Sequence, residues 1–385
     1  MNKQVSSLTN QQSYTQEVFW TWINESVRQT VVDLAQKAME LIRDSRLEAG
    51  WNQRNVGRRG YRNGYYRRWL TTPHGAVKLK VPRCRAGGLD TTAVFERYQR
   101  RIKDVERILR HAYLLGCATP TSCYRKIAVG AQLAEQIFGG SVSHQTISRL
   151  MRWIDDILNA WRKQPIEPIY TVVYIDGMHV NRVGSDRTVM IATGLREDGV
   201  LDVLGFCVGP GEQCGDFLAD LRRRGLEDVK LFVSDDSKAI RYALEWVYPE
   251  VAWQSCTFHR LSRLRVAIGT TDFRDTMAAE ASCIFRCPSR EAALDIAADW
   301  RKRWEKVAPW PTYQFLEGLT DSLNFYNLPM WRWKRVRTNN PMERLIKTLR
   351  QRLRPMGCFY DDSAIERAVF GQLLRWHKIK LTHNT

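Results

Sequence analysis

An α/β protein, with a mixed sheet flanked by helices, is predicted from the pattern of residues 169–259. Apolar, β-branched runs alternate there with amphipathic segments in the order β-β-β-α-β-α-β. A long helical stretch follows, and this order implies a mixed sheet covered by helices. A third observation concerns what precedes the sheet: a basic run rich in Gly, Arg and Tyr, then a hairpin pattern and a helical region.

Taken from the start, residues 1–50 hold an N-terminal helical segment. Val31, Leu34, Ala35, Ala38, Leu41 and Ile42 recur there at helical spacing. Residues 51–100 form a basic hairpin region. Arg54, Arg58, Arg59, Arg62, Arg67 and Arg68 are interleaved with glycines and with Tyr61, Tyr65 and Tyr66. Glycine lets backbone approach closely, arginine meets phosphate and tyrosine stacks, so contact with DNA is expected. A solvated charged face is the plainer alternative. Trp69–Thr72 and Ala76–Val81 read as two strands joined at Pro73–Gly75, with Pro82 ending the second. Residues 101–168 are helical: one helix starts near Asp104, another spans Thr121–Phe138, and a third runs from His144 to Trp153 behind a Ser143 cap. The pattern is similar to a helix-turn-helix, with Gln145 and Arg149 near the start of its recognition helix, although plain helical bundles share it.

Lys163–Pro168 breaks the helical pattern, and the sheet begins with Tyr170–Asp176. Thr188–Thr193 and Val200–Val208 are the next strands. A short helix through Phe217, Leu218 and Leu221 ends at Gly225. Val229–Asp235 is a strand, Lys238–Tyr248 a helix and Ala252–Cys256 a fifth strand. Residues 260–330 read as a helical insertion. Residues 331–385 carry a last helix that opens at Asn340 and Pro341, with Met342, Leu345, Ile346, Leu349 and Leu353 on one face.

Composition narrows the function classes. A chain of 385 residues with 44% apolar and 26% charged residues folds with ample core. It has no run of about 18 uncharged apolar residues, so no membrane span and no membrane partner are expected. Nine scattered cysteines make a reducing, cytoplasmic compartment the expected location. The formal charge of +18 points to a polyanionic partner, most often nucleic acid.

Three carboxylates stand at element edges: Asp176, Asp235 and Glu343. Singly, each has a plain structural account. The two Asp suit turns or caps, and Glu343 suits a capping box with Asn340 or an i,i+4 pair with Lys347. Together, they would repel one another unless cations join them. Mg²⁺ suits such a set, and two ions ~3.5–4 Å apart would stabilise both oxygens of an in-line phosphoryl transfer. The surrounding bases, among them Lys347 and Arg350, are then assigned to a DNA strand.

These residues carry a resemblance. YIDG (174–177), FLADLRRRGL (217–226), VSD (233–235), CTFH (256–259) and TNNPMERLIKTLRQR (338–352), with the basic hairpin at 58–85, resemble the Mutator-type DDE transposases of bacterial insertion sequences. The likeness covers roughly residues 50–370. It implies a ribonuclease-H-like core, divided into 169–259 and 331–385 by the helical insertion. It also implies Asp176, Asp235 and Glu343 as the catalytic, metal-binding triad, with Mg²⁺ or Mn²⁺ as cofactor. The partners implied are terminal inverted repeats and target double-stranded DNA, with at least two protomers in the assembly, and the place is the bacterial nucleoid. The separations of 59 positions between the two Asp and 108 between Asp235 and Glu343 fit that layout.

By position, Asn339 and Arg344 would meet the scissile strand, and Cys256 and His259 match a Cys-x-x-His element of structural or DNA-positioning character. Zinc is not expected. It needs four ligands, and adding Cys283 and Cys287 rests on spacing alone. Two departures stand out: Asp236 replaces a usual Gly, and Cys214 stands where the family commonly carries Trp. Alternative readings are a regulator that has lost catalysis and a nuclease that cuts without joining.

Overall fold

The structure is a computed structural model that describes residues 15–53, 56–85, 89–114, 135, 138–139, 142–167, 169–210 and 213–377. Most of the helix expected over Thr121–Phe138 lies outside the described residues, as does Arg54. The described residues up to Leu150 form one compact unit and those from Met151 onward a second. No helix among them is long and apolar enough to cross a membrane.

The first unit is built on a hairpin. Helix α1 (Gln16–Leu47) packs against strand β2 (Gly75–Cys84), which pairs antiparallel with β1 (Arg62–Thr72). Met39, Leu70, Val77, Leu79, Val81 and Phe95 form its core. The hairpin is longer than the sequence suggested at both ends. Strand β1 starts at Arg62, because Arg and Tyr alternate between faces as apolar residues would. Pro82 does not end β2 but sits opposite Tyr65, beside a register irregularity between Arg62 and Tyr65. A bulged, two-stranded edge is where a strand tolerates proline.

Helices α2 (Lys103–Leu114) and α3 (His144–Met151) complete this unit, with Val105, Leu109, Phe138, Val142, Ile147 and Leu150 packed together. The Ser143 hydroxyl accepts the Thr146 N–H at 3.3 Å, as a cap should. Helix α3 ends at Met151 instead of Trp153, and α4 (Trp153–Arg162) falls in the second unit.

The second unit holds a five-stranded mixed sheet in the order β5-β4-β3-β6-β7. Strands β3 (Val172–Val180), β4 (Arg187–Leu195) and β5 (Leu201–Gly209) are antiparallel. Strands β6 (Leu231–Ser234) and β7 (Ala252–Ser255) run parallel to β3. Helices α5 (Cys214–Arg223) and α6 (Lys238–Val247) cover one face, burying Phe217, Leu218, Leu221, Ile240 and Leu244 on Val173, Ile175 and Phe232.

The insertion follows β7: α7 (Thr257–Ile268), α8 (Arg274–Ile284), α9 (Arg290–Trp304), α10 (Pro309–Leu316) and a 3-10 segment, Leu319–Asn327. Two buried polar side chains fasten it to the sheet. Gln254 of β7 donates to the Ser322 carbonyl and accepts the Phe325 N–H, both at 2.8 Å. Arg260 of α7, 4% exposed, donates to Ser322 Oγ and to the carbonyls of Phe315, Glu317 and Gly318 at 2.7–2.9 Å. The chain then returns through α11 (Met330–Val336), α12 (Asn340–Leu353) and α13 (Asp362–His377).

Candidate active site

Strand register sets the first two carboxylates side by side. Tyr174 pairs with Val233 across β3 and β6, and Asp176 and Asp235 each lie two residues further on. Strand β3 does not end at Asp176, as its sequence suggested. It runs to Val180 along β4, so Asp176 stands where its parallel partner stops. The carboxyl ends of parallel strands at such a branch are where open α/β sheets leave a crevice. The side-chain period of two puts Asp176 on the face of Tyr174, opposite the face that Val173 and Ile175 bury under α5 and α6.

Helix α12 covers that face. Met342, Leu345, Ile346, Leu349 and Leu353 form its buried stripe, and the Thr193 hydroxyl donates to Met342 Sδ at 3.6 Å. The N-cap position falls at Asn339, one residue earlier than the sequence indicated, and its side chain makes no capping hydrogen bond. Asn339 is fully buried. Its Nδ2 donates to the Ile175 carbonyl at 3.5 Å, and its N–H donates to Cys256 Sγ at 3.2 Å. It therefore ties α12 to β3 and β7 and is closed to a DNA strand, contrary to the contact inferred for it.

This start fixes Glu343 over the crevice. Neither structural account of Glu343 holds among the described residues: Glu343 Oε1 has no hydrogen-bond partner, and no ion pair joins Glu343 to Lys347. Its near neighbour is His259 of α7, with Nε2 3.4 Å from Oε1. Asp176, Asp235, Glu343 and His259 line one cleft of ≈ 790 Å³, whose rim includes exposed Arg344, Lys347 and Arg350.

The electrostatics are those of crowded, dry carboxylates. Burial raises the Asp176 pKa to about 7, with Asp235 and Glu343 adding to the rise, against the opposing Gly177 N–H, 2.8 Å from Oδ1, and Arg350. Burial also raises Asp235, whose Oδ1 is buried without a partner, while His259 works against the rise. Asp236 differs. Its carboxylate is taken by Arg263 at 2.5 Å and approached by Arg260 at 3.9 Å, so it is neutralised within the protein and leaves Asp235 as the unpaired acid.

Cys256, His259 and Glu343 are the one group of three or more such residues, among the described residues, whose ligand atoms lie within 4.8 Å of one another. The three carboxylates share the cleft without meeting that spacing. Cys256 is fully buried at the end of β7, where burial raises its thiol pKa and backbone N–H groups of His259, Asn339 and Phe258 point at the sulfur. It joins the starts of α7 and α12. Cys283 and Cys287 lie outside the group: Cys287 Sγ donates to the Cys283 carbonyl, and Cys283 is exposed. Cys214 is 2% exposed in the core under the sheet.

The basic residues of the first unit divide by face. Arg62 is turned inward, donating to Asp44 at 2.8 Å and to the Gly50 carbonyl at 3.0 Å, so it braces α1 and is not free for phosphate. Arg68 lies 4.2 Å over the Phe95 ring, Arg58 donates to the Gly60 carbonyl, and Arg59 pairs with Glu48 on the surface. Arg67 projects outward between exposed Tyr65 and Trp69. Gln145 and Arg149 are exposed on α3. The Cys-x-x-His spacing marked His259 as structural or DNA-positioning but not its contact with Glu343, and nothing in the sequence marked Arg263. Neither contact has a local signal, because both cross from α7 to distant segments.

A family model described as Transposase, Mutator family matches residues 2–378. Among curated proteins, the chain is 29% identical to the transposase for insertion sequence element ISRM5 of Rhizobium meliloti, over 92% of this chain and 88% of that protein. It is 28% identical to the transposase for insertion sequence element IS256 in transposon Tn4001 of Staphylococcus aureus, over 88% and 87%. The transposase for insertion sequence element IS1081 of Mycobacterium tuberculosis is 27% identical over 87% and 80%.

Proposed function

The chain belongs to the Mutator family of transposases, and from that membership we propose that it cuts and joins DNA as a metal-dependent polynucleotidyl transferase of the DDE type. The observation that carries the reading is the convergence of Asp176, Asp235 and Glu343, from three distant segments, on one cleft rimmed by Arg344, Lys347 and Arg350. A sheet whose first three strands are antiparallel and whose last two run parallel to the first supports a ribonuclease-H-like core.

Mg²⁺ or Mn²⁺ fits the donor set: Asp235 Oδ1 and Glu343 Oε1 have no hydrogen-bond partner, the latter having only His259 Nε2 nearby at 3.4 Å, and hard cations take carboxylate ligands. Asp176, Asp235 and Glu343 would hold the ions. Bound there, they would supply charge neutralisation at the reacting phosphate. 

The protein's own side chains do the rest. Arg344, Lys347 and Arg350 on α12 would grip the phosphates of the scissile strand and set its direction across the cleft. Asn339 and Cys256 hold α12 against the sheet, which keeps Glu343 over the two Asp. A water would attack the phosphorus at the element end, breaking the bond to the 3′ oxygen and freeing a 3′-hydroxyl. That hydroxyl would then attack a phosphorus of target DNA, forming a new phosphodiester as the bond to the target's own 3′ oxygen breaks and releases a target 3′-hydroxyl, with no covalent protein intermediate.

Arg67 with Tyr65 and Trp69, and Gln145 and Arg149 on α3, are the outward groups suited to the terminal inverted repeats. A homodimer or larger assembly on DNA at the bacterial nucleoid completes the proposal. The test uses a duplex carrying the inverted repeats that flank the gene. Asp235→Asn and Glu343→Gln should each abolish Mg²⁺-dependent cleavage and strand transfer while duplex binding survives. Full activity in either variant would sink the triad, and cleavage without joined products would leave a nuclease.

A further inference from the structure

A second groove meets the carboxylate cleft at the first turn of α12. It has a volume of ≈ 610 Å³ and lies between that turn, α11 and the β4–β5 turn. It shares Asn340 and Arg344 with the cleft, but none of the three acids is in its walls. Five bases line it, Arg196, Arg332, Lys334, Arg335 and Arg344, against one acid, Glu197.

The five differ in what they are free to do. Arg196 pairs with Asp198 and Asp202 at 3.5 and 3.3 Å. The Arg332 guanidinium donates to the Thr171 hydroxyl and lies 4.6 Å over the Trp331 ring. Lys334 and Arg335 are exposed, and among the described residues no acid pairs with either. Arg335 donates to the Gly199 carbonyl at 3.2 Å, which leaves the rest of its guanidinium open. Helix α11 is held from behind. The Tyr174 hydroxyl of β3 donates to the Arg335 carbonyl at 3.1 Å, and Trp333 Nε1 donates to the Leu328 carbonyl at 2.6 Å. Lys334 and Arg335 therefore face solvent from a fixed support, without a protein counter-charge.

We propose that this groove seats the target duplex, with Lys334 and Arg335 on its phosphates, while the cleft holds the element end. The inference rests on the DNA reading of the cleft and deepens it. Joining requires two DNAs to reach one set of carboxylates, and two basic channels meet at Arg344. The element strand already has a path along α12, where Arg344, Lys347, Arg350 and Arg354 recur at three- and four-residue spacing on the cleft side. The groove leaves that line at the helix start and crosses to the β4–β5 turn. Its free groups are an ammonium and a guanidinium, and contacts of these with phosphate carry no sequence information. That chemistry suits a duplex taken without regard to its bases.

The experiment uses the full chain with Mg²⁺ and reads two reactions. Cleavage is followed on an uncut duplex bearing the inverted repeat. Joining is followed with the same end carrying a free 3′-hydroxyl and a plasmid that lacks the repeat. Lys334→Gln with Arg335→Gln should raise the plasmid concentration for half-maximal joining about tenfold or more, the scale of one charge-assisted hydrogen bond. The logarithm of that concentration should also depend less steeply on log salt, by roughly 1.8 for two lost phosphates. Cleavage of the uncut end should proceed as in the unaltered protein. Lys334→Arg with Arg335→Lys keeps both charges and should join as the unaltered protein does. Unchanged joining, cleavage lost in step with joining, or joining lost in the charge-conserving variant would each overturn the target groove alone. Failure of the unaltered protein to cleave or join either substrate would instead remove the DNA reading beneath it.

Discussion

Replacing Asp176 by Asn should make the metal-free protein more stable at alkaline pH. Asp176 is 9% exposed, and burial, with the charges of Asp235 and Glu343, raises its pKa from 3.8 to about 7. The unfolded chain releases this proton near the ordinary value, while the folded protein keeps it until about pH 7. Folding therefore loses stability progressively as the pH climbs from about 4 to 7, and the full penalty stands above that. From 3.8 to about 7, at 1.36 kcal/mol per pH unit, the ceiling is ~4 kcal/mol. Asn keeps the shape and an acceptor for the Gly177 N–H but carries no charge. For a unit of this size, each kcal/mol is about 2–4 °C in Tm, so the gain is at most ~8–16 °C. Scanning calorimetry in EDTA should give a higher Tm for Asp176→Asn at about pH 8.5 and little difference at about pH 4. Mg²⁺ should raise the Tm of the unaltered protein and close the gap, leaving the variant unmoved. An equal or lower Tm at the higher pH, or the same difference at both, would refute the account of a strained carboxylate.

The other predictions concern the surroundings of the cleft. Arg260→Met leaves Ser322 and three backbone carbonyls without their donor, and should lower stability by ~3–5 kcal/mol in urea unfolding. Arg344→Ala, Lys347→Ala and Arg350→Ala should each weaken duplex binding without regard to sequence. Each should reduce the slope of log affinity against log salt by roughly 0.9, as loss of one phosphate contact would.

How legible the site was depended on range. The run from Tyr170 to Asp176 announced a buried strand, because both faces of a central strand carry apolar side chains. Its extension to Val180 was hidden, since Gly177 and His179 break the apolar run while β4 still pairs with them. The nearness of Asp176 and Asp235 follows from the parallel register of β3 and β6, which no local pattern contains. The start of α12 was misplaced by one residue because Asn339 and Asn340 are equally suited by type to the N-cap position. Burial against Ile175 and Cys256 decided for Asn339. Arg62 read as a phosphate contact within a basic run, yet Asp44, 18 positions earlier, turned it inward. Composition reports how many bases there are, and only packing decides which ones face outward.

The separation of Asp235 from Glu343 also orders events in time. Strands β3 and β6 emerge before the insertion is made, and the 108 residues between the two acids take roughly 5–20 s to synthesise at ~5–20 residues/s. The pair of Asp can form its sheet edge early, whereas α12 must wait for Arg260 and Gln254 to dock the insertion behind β7. A growing chain therefore carries two of its three acids for many seconds without the helix that brings the third. Completion of the cleft therefore coincides with completion of the fold around it.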